Sequence, residues 1–582
     1  MKRLFLILLV ASAAGVTAFA QAPIVTDVQD AASYTATIAQ GGVFVVKGAN
    51  LVSVAGANSA SIPYLTSFNG VSITLTPLGG GTPVSALIVN TFSGSGITQV
   101  GALLPATTTQ GDYGLVLTNN ATPSNSFTVT VVVRKFGLIT VPGSGSGRAV
   151  IQNVVSATQY DLNRFTTGTL NGFTYSPAKP GQTLITYGTG MNAAPGLSVT
   201  VIVGNTEITP AFAGAQGQFP GLDQINFVLP ANIVTGCYIP FQVRVGSQLS
   251  NSTTIAIAPS PSATACVDPQ LSIDVLSNLD NGGSITQASF ILTSNNTTVN
   301  LSSVVPSLKD PLAARNESAS GAFAQITADN LLQVASAFYT PAPCQVYHRI
   351  GSAIALLLPN TTFLDAGVIT LNGPNVVNKA FKEGSDNGYS LNLGTAVTLP
   401  PGVTLPPAIA QQFTTAPVIV AGTYQLTGAG GKDVGKFGPA GVAIPAPLVL
   451  NNPLPASIPR SQNLTVSWTG GGPGNLVQIV GISGGPASNS TQANPTYNTQ
   501  LFVCTTTADK LSLTVPASIL SQIPATPPAG PGPVNGIGLL SVTSSTLATS
   551  TNGTFTAPLT AGGTVPGNFF GTIGFSTNTT YQ

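Results

Sequence analysis

A chain of 582 residues carrying 6% charged side chains and a formal net charge of +1 lacks the clustered basic surface that phosphate binding needs. Typical soluble domains carry about 25% charge, so solubility here rests on Ser, Thr, Asn and Gln. The 43% hydrophobic content argues for packed cores rather than disorder, and the length suits about four domains.

The N-terminus reads as a secretory signal. Lys2 and Arg3 form a basic n-region, Leu4 to Val10 begin an apolar core, and Ala18-Phe19-Ala20 is an A-x-A cleavage site. Residues 1–20 are therefore expected to be removed after Ala20, giving a secreted or cell-surface protein with 16 basic and 17 acidic residues. No later apolar run approaches the length of about 18 residues that spans a bilayer, so no membrane span is expected. Nucleic acid is not an expected partner.

Residues 21–134 read as a first β-sandwich. Val43–Val46, Val71–Leu75, Ala86–Val89, Tyr113–Leu117 and Phe127–Val133 alternate like half-buried strands, with turn residues between them. Residues 135–267 repeat the scheme with Leu184–Tyr187, Leu197–Val203, Phe241–Val245 and Thr253–Ile257. The two units are degenerate copies. Gly41, Gly48 and Leu51 recur 140 positions later as Gly181, Gly188 and Met191. Gln99–Pro105 recurs after 125 positions as Gln224–Pro230, and Gly111 and Tyr113 recur as Gly236 and Tyr238. Ser124-Asn125-Ser126 returns as Ser250-Asn251-Ser252. Turn glycines, alternating apolar runs and a strand-ending proline are scaffold chemistry.

Residues 268–436 are also β-rich, with Leu271–Leu276, Ser289–Thr293 and Ile354–Leu358 as expected strands. Ala366–Gly373 is echoed by Ala421–Gly428 at an offset of 55, which suggests paired hairpins of a sandwich or jelly roll. Ala319–Ala337 is the one stretch with helical character. Residues 437–582 form the last expected sandwich, with Leu464–Trp468, Val477–Ile482, Leu501–Cys504, Leu511–Val515, Gly538–Val542 and Phe570–Phe575 as strands. The sole tryptophan, Trp468, is expected to anchor a core, and Pro524–Pro533 to form a surface loop.

The strings Asp30-Ala-Ala-Ser-Tyr34, Pro180-Gly181, Tyr187–Gly190, Gly221–Pro230, Gly236–Pro240 and Ser250-Asn251 resemble an uncharacterised family. It is the tandem repeat of secreted acidobacterial proteins, and the resemblance covers about 25–260. The resemblance implies immunoglobulin-type sandwiches of the IPT/TIG kind, and implies no catalytic or cofactor-binding residues. The first unit departs from the pattern, since Gln99-Val100-Gly101 lacks the fuller Gly-x-x-Gln-Ile-Asn string.

Four cysteines in an exported chain suggest two disulfides, although four allow three pairings. Cys237 and Cys266 flank the last hairpin of the second repeat, 29 positions apart, and Cys344 and Cys504 are left to each other. No Cys or Cys/His spacing suits a zinc site. His348 is the sole histidine, so any Ser-His-Asp triad must use it. Gly481-Ile-Ser-Gly-Gly485 matches a nucleophile elbow, but no helical pattern follows it. Gly143–Gly147 reads as a flexible inter-repeat loop, lacking the Lys-Ser/Thr ending of a phosphate loop. Glu383, Asp386 and Asn387 offer oxygens without calcium-loop spacing, and Asp280-Asn281-Gly282 reads as a turn.

The expectation is therefore an all-β chain of tandem immunoglobulin-like β-sandwich domains with no catalytic, cofactor-binding or metal site. Its expected role is non-catalytic adhesion, matrix assembly or spacing, with an extracellular glycan or surface protein as partner. The competing class is a secreted polysaccharide-active enzyme or carbohydrate-binding protein with accessory sandwiches. Sandwiches present ligands on loops at strand ends. The candidate contact loop is Asn375–Asn387, with Phe381, Lys382, Glu383 and Asp386, and a second loop is Gly484–Asn498 with Tyr497.

Overall fold

The strand Val71–Pro77 buries Val71, Ile73 and Leu75 and leaves the residues between them partly exposed, the period-two pattern that seats a strand on a core. This alternation recurs through the chain. A computed structural model describes residues 21–94, 97–268, 271–299, 312–327, 344–351, 362–399, 497–528, 536–546, 552–582 and, apart from 406, 412, 414 and 415, residues 404–486. Strand accounts for 56% of it and helix for 4%, so the fold is all-β, in tandem immunoglobulin-like sandwiches.

In the first unit one sheet runs Ile24–Asp30, Val43–Ala49, Ile97–Leu103, Leu87–Gly94, Gly56–Ser59. The facing sheet runs Ile38–Ala39, Phe127–Val132, Gly111–Asn119, Val71–Pro77, Ser67–Phe68. Phe44, Val46, Leu115 and Leu117 fill the space between them. The second unit packs a sheet of Gly168–Leu170, Phe173–Ser176, Tyr160–Asn163, Ile151–Val154, Thr183–Thr189, Asp223–Val228 and Phe212–Ala215 over a smaller sheet centred on Gly236–Val245.

The sequence repeat recurs as a set of equivalent contacts. Asn125 accepts a hydrogen bond from the Val25 amide (2.8 Å) and donates to the Val25 carbonyl (3.0 Å). Asn251 does the same with Leu138, at 2.7 and 3.0 Å. Ser124 and Ser250 each accept an amide seven residues back, from Leu117 and Val243. Gly41 and Gly181 both take positive φ, +67° and +82°. A side chain on Gly48 would strike the Ile24 carbonyl, and one on Gly188 the Phe136 ring.

Beyond residue 268 the expected boundary at 436/437 does not divide the structure. Phe437–Ile444 pairs with Gly422–Gly428, and one hydrophobic cluster takes residues from both sides, including Phe290, Phe437 and Phe569. Ser284–Val299 lies parallel to Thr564–Asn578, so strands of both expected domains build one eleven-stranded sheet. A four-stranded sheet covers one end of it. There the two echoed segments are neighbours, with Leu371 opposite Leu426. The other end is covered by strands around Trp468, which is buried and donates from Nε1 to the Ala508 carbonyl at 3.0 Å.

Two secondary-structure expectations fail. Leu271–Leu276 is not a strand, because Ile273–Asp280 is a helix capped by the Ser272 side chain, with Asp274 in its first turn. Burial of Leu276 and Leu279 on one side outweighs the apolar alternation. Ala319–Ala337 is not a helix as far as it is described. Leu312–Thr327 is a strand paired over its whole length with Ser284–Val299, and that pairing overrides the helix propensity of its alanines. Residues 328–337 and Ile354–Leu358 lie outside the described residues.

Both cysteine pairs form as expected, Cys237–Cys266 and Cys344–Cys504. Such bridges suit an oxidising compartment outside the cytoplasm. No helix among the described residues is long and apolar enough to cross a membrane.

Candidate functional site

The candidate contact segment is a strand and turn that leaves Lys382, Glu383 and Asp386 exposed and buries Phe381. Val376–Ala380 and Lys382–Glu383 are strands, so Asn375–Asn387 is not an extended loop. Phe381 is 7% exposed and packs edge-on against Phe290 at 6.0 Å, which corrects its reading as a surface aromatic. Lys382 and Glu383 pair with Ser390 and Tyr389, and Glu383 accepts from the Tyr389 hydroxyl at 3.1 Å. Asp386 accepts from the Gly388 amide (3.1 Å), which makes it the organiser of its own turn. Of the second loop, residues 487–496 lie outside the described residues, and Tyr497 opens the strand Tyr497–Thr507.

The catalytic look-alikes are strand positions. Gly481–Gly485 lies inside Leu476–Pro486, with partners on both sides; Ser483 is opposite Gln500 and Gly538, and its hydroxyl meets Thr526 at 3.0 Å. His348 occupies the strand Gln345–Gly351, in register with Gln500. Among the described residues no cluster of three or more His, Cys, Asp or Glu can hold a metal ion.

Two of the four ion pairs among the described residues lie at the joints between units. Asp30 ends the first strand and gathers the amides of Ala32, Ser33 and Thr35, the hydroxyls of Ser33 and Thr35, and the Lys135 ammonium at 3.1 Å. Burial alone would raise its carboxyl, but Lys135 and Ser33 outweigh that and hold it below the ordinary carboxylate range. Lys135, from the segment joining the units, also donates to the Thr35, Ala36 and Thr37 carbonyls. The Asp30–Tyr34 string is thus a socket for the following unit. Beside it, Thr189 accepts from the Val43 amide and donates to the Gly221 carbonyl. Asp223 is 8% exposed and accepts from the Met191 amide at 2.8 Å. Desolvation pushes its carboxyl up to about 6, against a smaller opposing pull from that amide.

Gly143–Gly147 is not a flexible loop throughout. Gly145 to Gly147 are buried, with Gly145 at φ +78° and its α-carbon so close to Ser33 that a side chain would strike the Ser33 carbonyl. At the next joint Asp280, fully buried, meets Arg148 at 3.2 Å and accepts from the amide and hydroxyl of Thr166 at 2.7 and 2.9 Å. It is therefore not a solvated turn residue. Around it, Phe165, Leu276, Leu279, Ile326 and the Cys237–Cys266 bridge form a core shared by the second unit and the C-terminal sheet. Glu317 is a third buried carboxylate with a cationic partner; it pairs with Arg315 at 3.1 Å and accepts the amides of Val418 and Ile419. A cleft of about 320 Å³ opens where the units meet, lined by Thr35, Lys135, Asn251, Val346 and Gln522 among others. Of these, Lys135 is bonded to the Thr35, Ala36 and Thr37 carbonyls and Asn251 pins Leu138.

One surface is built differently. Along the larger sheet of the second unit, Asn153, Asp161, Leu184, Thr186, Ile225 and Phe227 are buried. The alternate residues face outward. Val154 is opposite Tyr160. Leu162 is in register with Tyr175, which stands two residues from Phe173 on the same face but is itself 3% exposed, its hydroxyl donating to Asn281 at 3.3 Å. Tyr160, Phe173 and Phe212 are 43%, 65% and 44% exposed. Between them, the Tyr187 hydroxyl donates to Gln152 Oε1 at 2.7 Å, and the Gln224 amide donates to Asn226 at 2.9 Å. Burial, and to a lesser degree Tyr160, raises the Tyr187 phenol. Sequence periodicity marks these as outward positions, but only the strand order brings their rings onto one face.

No protein-family model matches the chain, and no curated protein matches it. Among solved structures it is similar to a Bacteroides ovatus mixed-linkage glucan utilization locus protein, SGBP-B, in complex with a mixed-linkage heptasaccharide, at 12% identity and a TM-score of 0.18. That match covers 61% of this chain, which spans 65% of the other's length. The I9–I11 tandem of titin matches at 7% identity and TM-score 0.12, over 68% of this chain and 91% of that one. The ICAM-5 D1–D4 ectodomain fragment matches at 11% identity and TM-score 0.12, over 93% and 96%. At these scores the similarity carries no argument about ligand or activity.

Proposed function

We propose that this is a secreted, non-catalytic protein of adhesion, matrix assembly or spacing, released from a signal peptide after Ala20. We assign it to the acidobacterial tandem-repeat family that its Asp30–Tyr34 and Gly221–Pro230 strings resemble. The observation that carries this reading is how the joints are made. Buried carboxylates close both of them, Asp30 on Lys135 and Asp280 on Arg148. Domains within one chain move relative to one another unless their interface is large and apolar. Here a shared apolar core adds to the second ion pair. Two of the four ion pairs among the described residues thus fix one sandwich against the next, as a spacer requires.

The test is to incubate the secreted protein with whole cells and a panel of plant and microbial polysaccharides, assaying both retention and new reducing ends. Retention without new reducing ends is expected. Turnover abolished by changing one carboxylate within 268–436 would instead make the chain a polysaccharide-active enzyme.

A further inference from the structure

We infer that the outward face of the second unit's larger sheet is a binding platform for a neutral polysaccharide, an inference that rests on the non-catalytic adhesion or spacing reading above. A sandwich face turned to water ordinarily alternates into polar and charged side chains. Here the outward positions hold Tyr160, Phe173, Tyr187 and Phe212, with Gln152 and Gln224 between them. Three of the four rings are more than 40% exposed. Grouped exposed apolar surface marks an interaction site, whereas isolated exposed residues do not.

The chemistry of the face selects the ligand. Its strands Tyr160–Asn163, Ile151–Val154, Thr183–Thr189, Asp223–Val228 and Phe212–Ala215 carry two charged residues, Asp161 and Asp223, and both are buried on the inner side. An acidic or basic ligand would lose hydration there and find no counter-charge. A protein partner would ordinarily meet arginine anchors among the aromatics; the arginine at this end, Arg164, lies over the buried Tyr175 ring and donates to the Asp280 carbonyl, so it is already engaged within the chain. An uncharged pyranose fits better. Its axial C–H groups present an apolar face to a ring, and its hydroxyls match the amide, which both donates and accepts. The platform is also set before a ligand arrives, because Tyr187 is tied to Gln152 and Gln224 to Asn226. From Phe173 to Phe212 there are five strand spacings, about 24 Å at roughly 4.8 Å each, a span suited to several consecutive sugars.

The experiment is affinity electrophoresis of the secreted protein through gels containing xyloglucan, glucomannan or hydroxyethyl cellulose, with polygalacturonate as the anionic counterpart. At least one neutral polymer should retard the protein. The double variant Tyr160→Ala/Phe173→Ala should weaken that retardation at least tenfold with an unchanged melting temperature. Glu207→Gln, at an exposed ion pair on the opposite sheet, should behave as wild type. Undiminished retardation of a folded double variant would overturn the platform and leave the scaffold reading standing. Retardation by polygalacturonate alone, or by no polymer, would overturn the choice of ligand. New reducing ends in the same gels would sink the scaffold reading itself.

Discussion

Asp223 lies at the joint of the first two units with the Met191 amide as its partner. Its carboxyl is pushed up from 3.8 to about 6, so the folded protein binds this proton more tightly than the unfolded chain does. The stabilisation is therefore complete below pH 4 and is lost as pH rises through 6, by roughly 3 kcal/mol at most. Asp223→Asn keeps the acceptor for Met191 and removes the charge. It should raise the melting temperature at pH 7.5 and flatten the pH dependence between 4 and 6; an unchanged slope would show that Asp223 titrates normally. Asp280 is the opposite case, a buried charge with a buried partner. Removing one member of such a pair costs roughly 3–5 kcal/mol. Asp280→Ala should lower stability on that scale in chemical denaturation and speed hydrogen exchange in Ile273–Asp280, whereas Arg148→Met/Asp280→Leu should recover most of the loss. Neither residue's burial is legible in the sequence. Asp280-Asn281-Gly282 has turn composition, and its partner Arg148 stands 132 positions away.

Strands were the most legible elements, because period-two burial is written locally. Tyr113–Leu117 and Val71–Leu75 lie within Gly111–Asn119 and Val71–Pro77. The failures are segments where a distant partner decides. Ala319–Thr327 pairs with Ser284–Leu292, and Phe381 turns inward because Phe290 and Tyr389 wait there. The repeated asparagines offer a test at this scale. Asn125 makes two backbone hydrogen bonds to Val25, whereas Asn251 bonds twice to Leu138 and once to Gly145. At roughly 1 kcal/mol per bond, Asn251→Ala should cost more than Asn125→Ala. Each should speed hydrogen exchange in its own pinned strand, and equal effects in both strands would contradict the local role. The two bridges differ likewise. Cys344–Cys504 spans 160 positions and Cys237–Cys266 spans 29, worth about 5 and 3.6 kcal/mol on the chain-entropy model. Cys344→Ala/Cys504→Ala should therefore lower the melting temperature more than Cys237→Ala/Cys266→Ala.

At the scale of the molecule, the expected row of sandwiches describes residues 21–267, where two stand in tandem, better than the rest. Domain boundaries are read from composition, and no composition shift announces that Ser284–Val299 lies beside Thr564–Asn578. That parallel pair joins the last two expected domains through one sheet, while the ion pairs of Asp30 and Asp280 tie the earlier units to each other and to it. The central claim is that the described units are held as a fixed scaffold. Small-angle X-ray scattering of residues 21–582 tests it most directly. One conformation should reproduce the profile over residues 21–582, and Asp30→Ala/Asp280→Ala should enlarge the radius of gyration. A wild-type profile that requires an ensemble of independently moving units, unchanged by the double substitution, would contradict it.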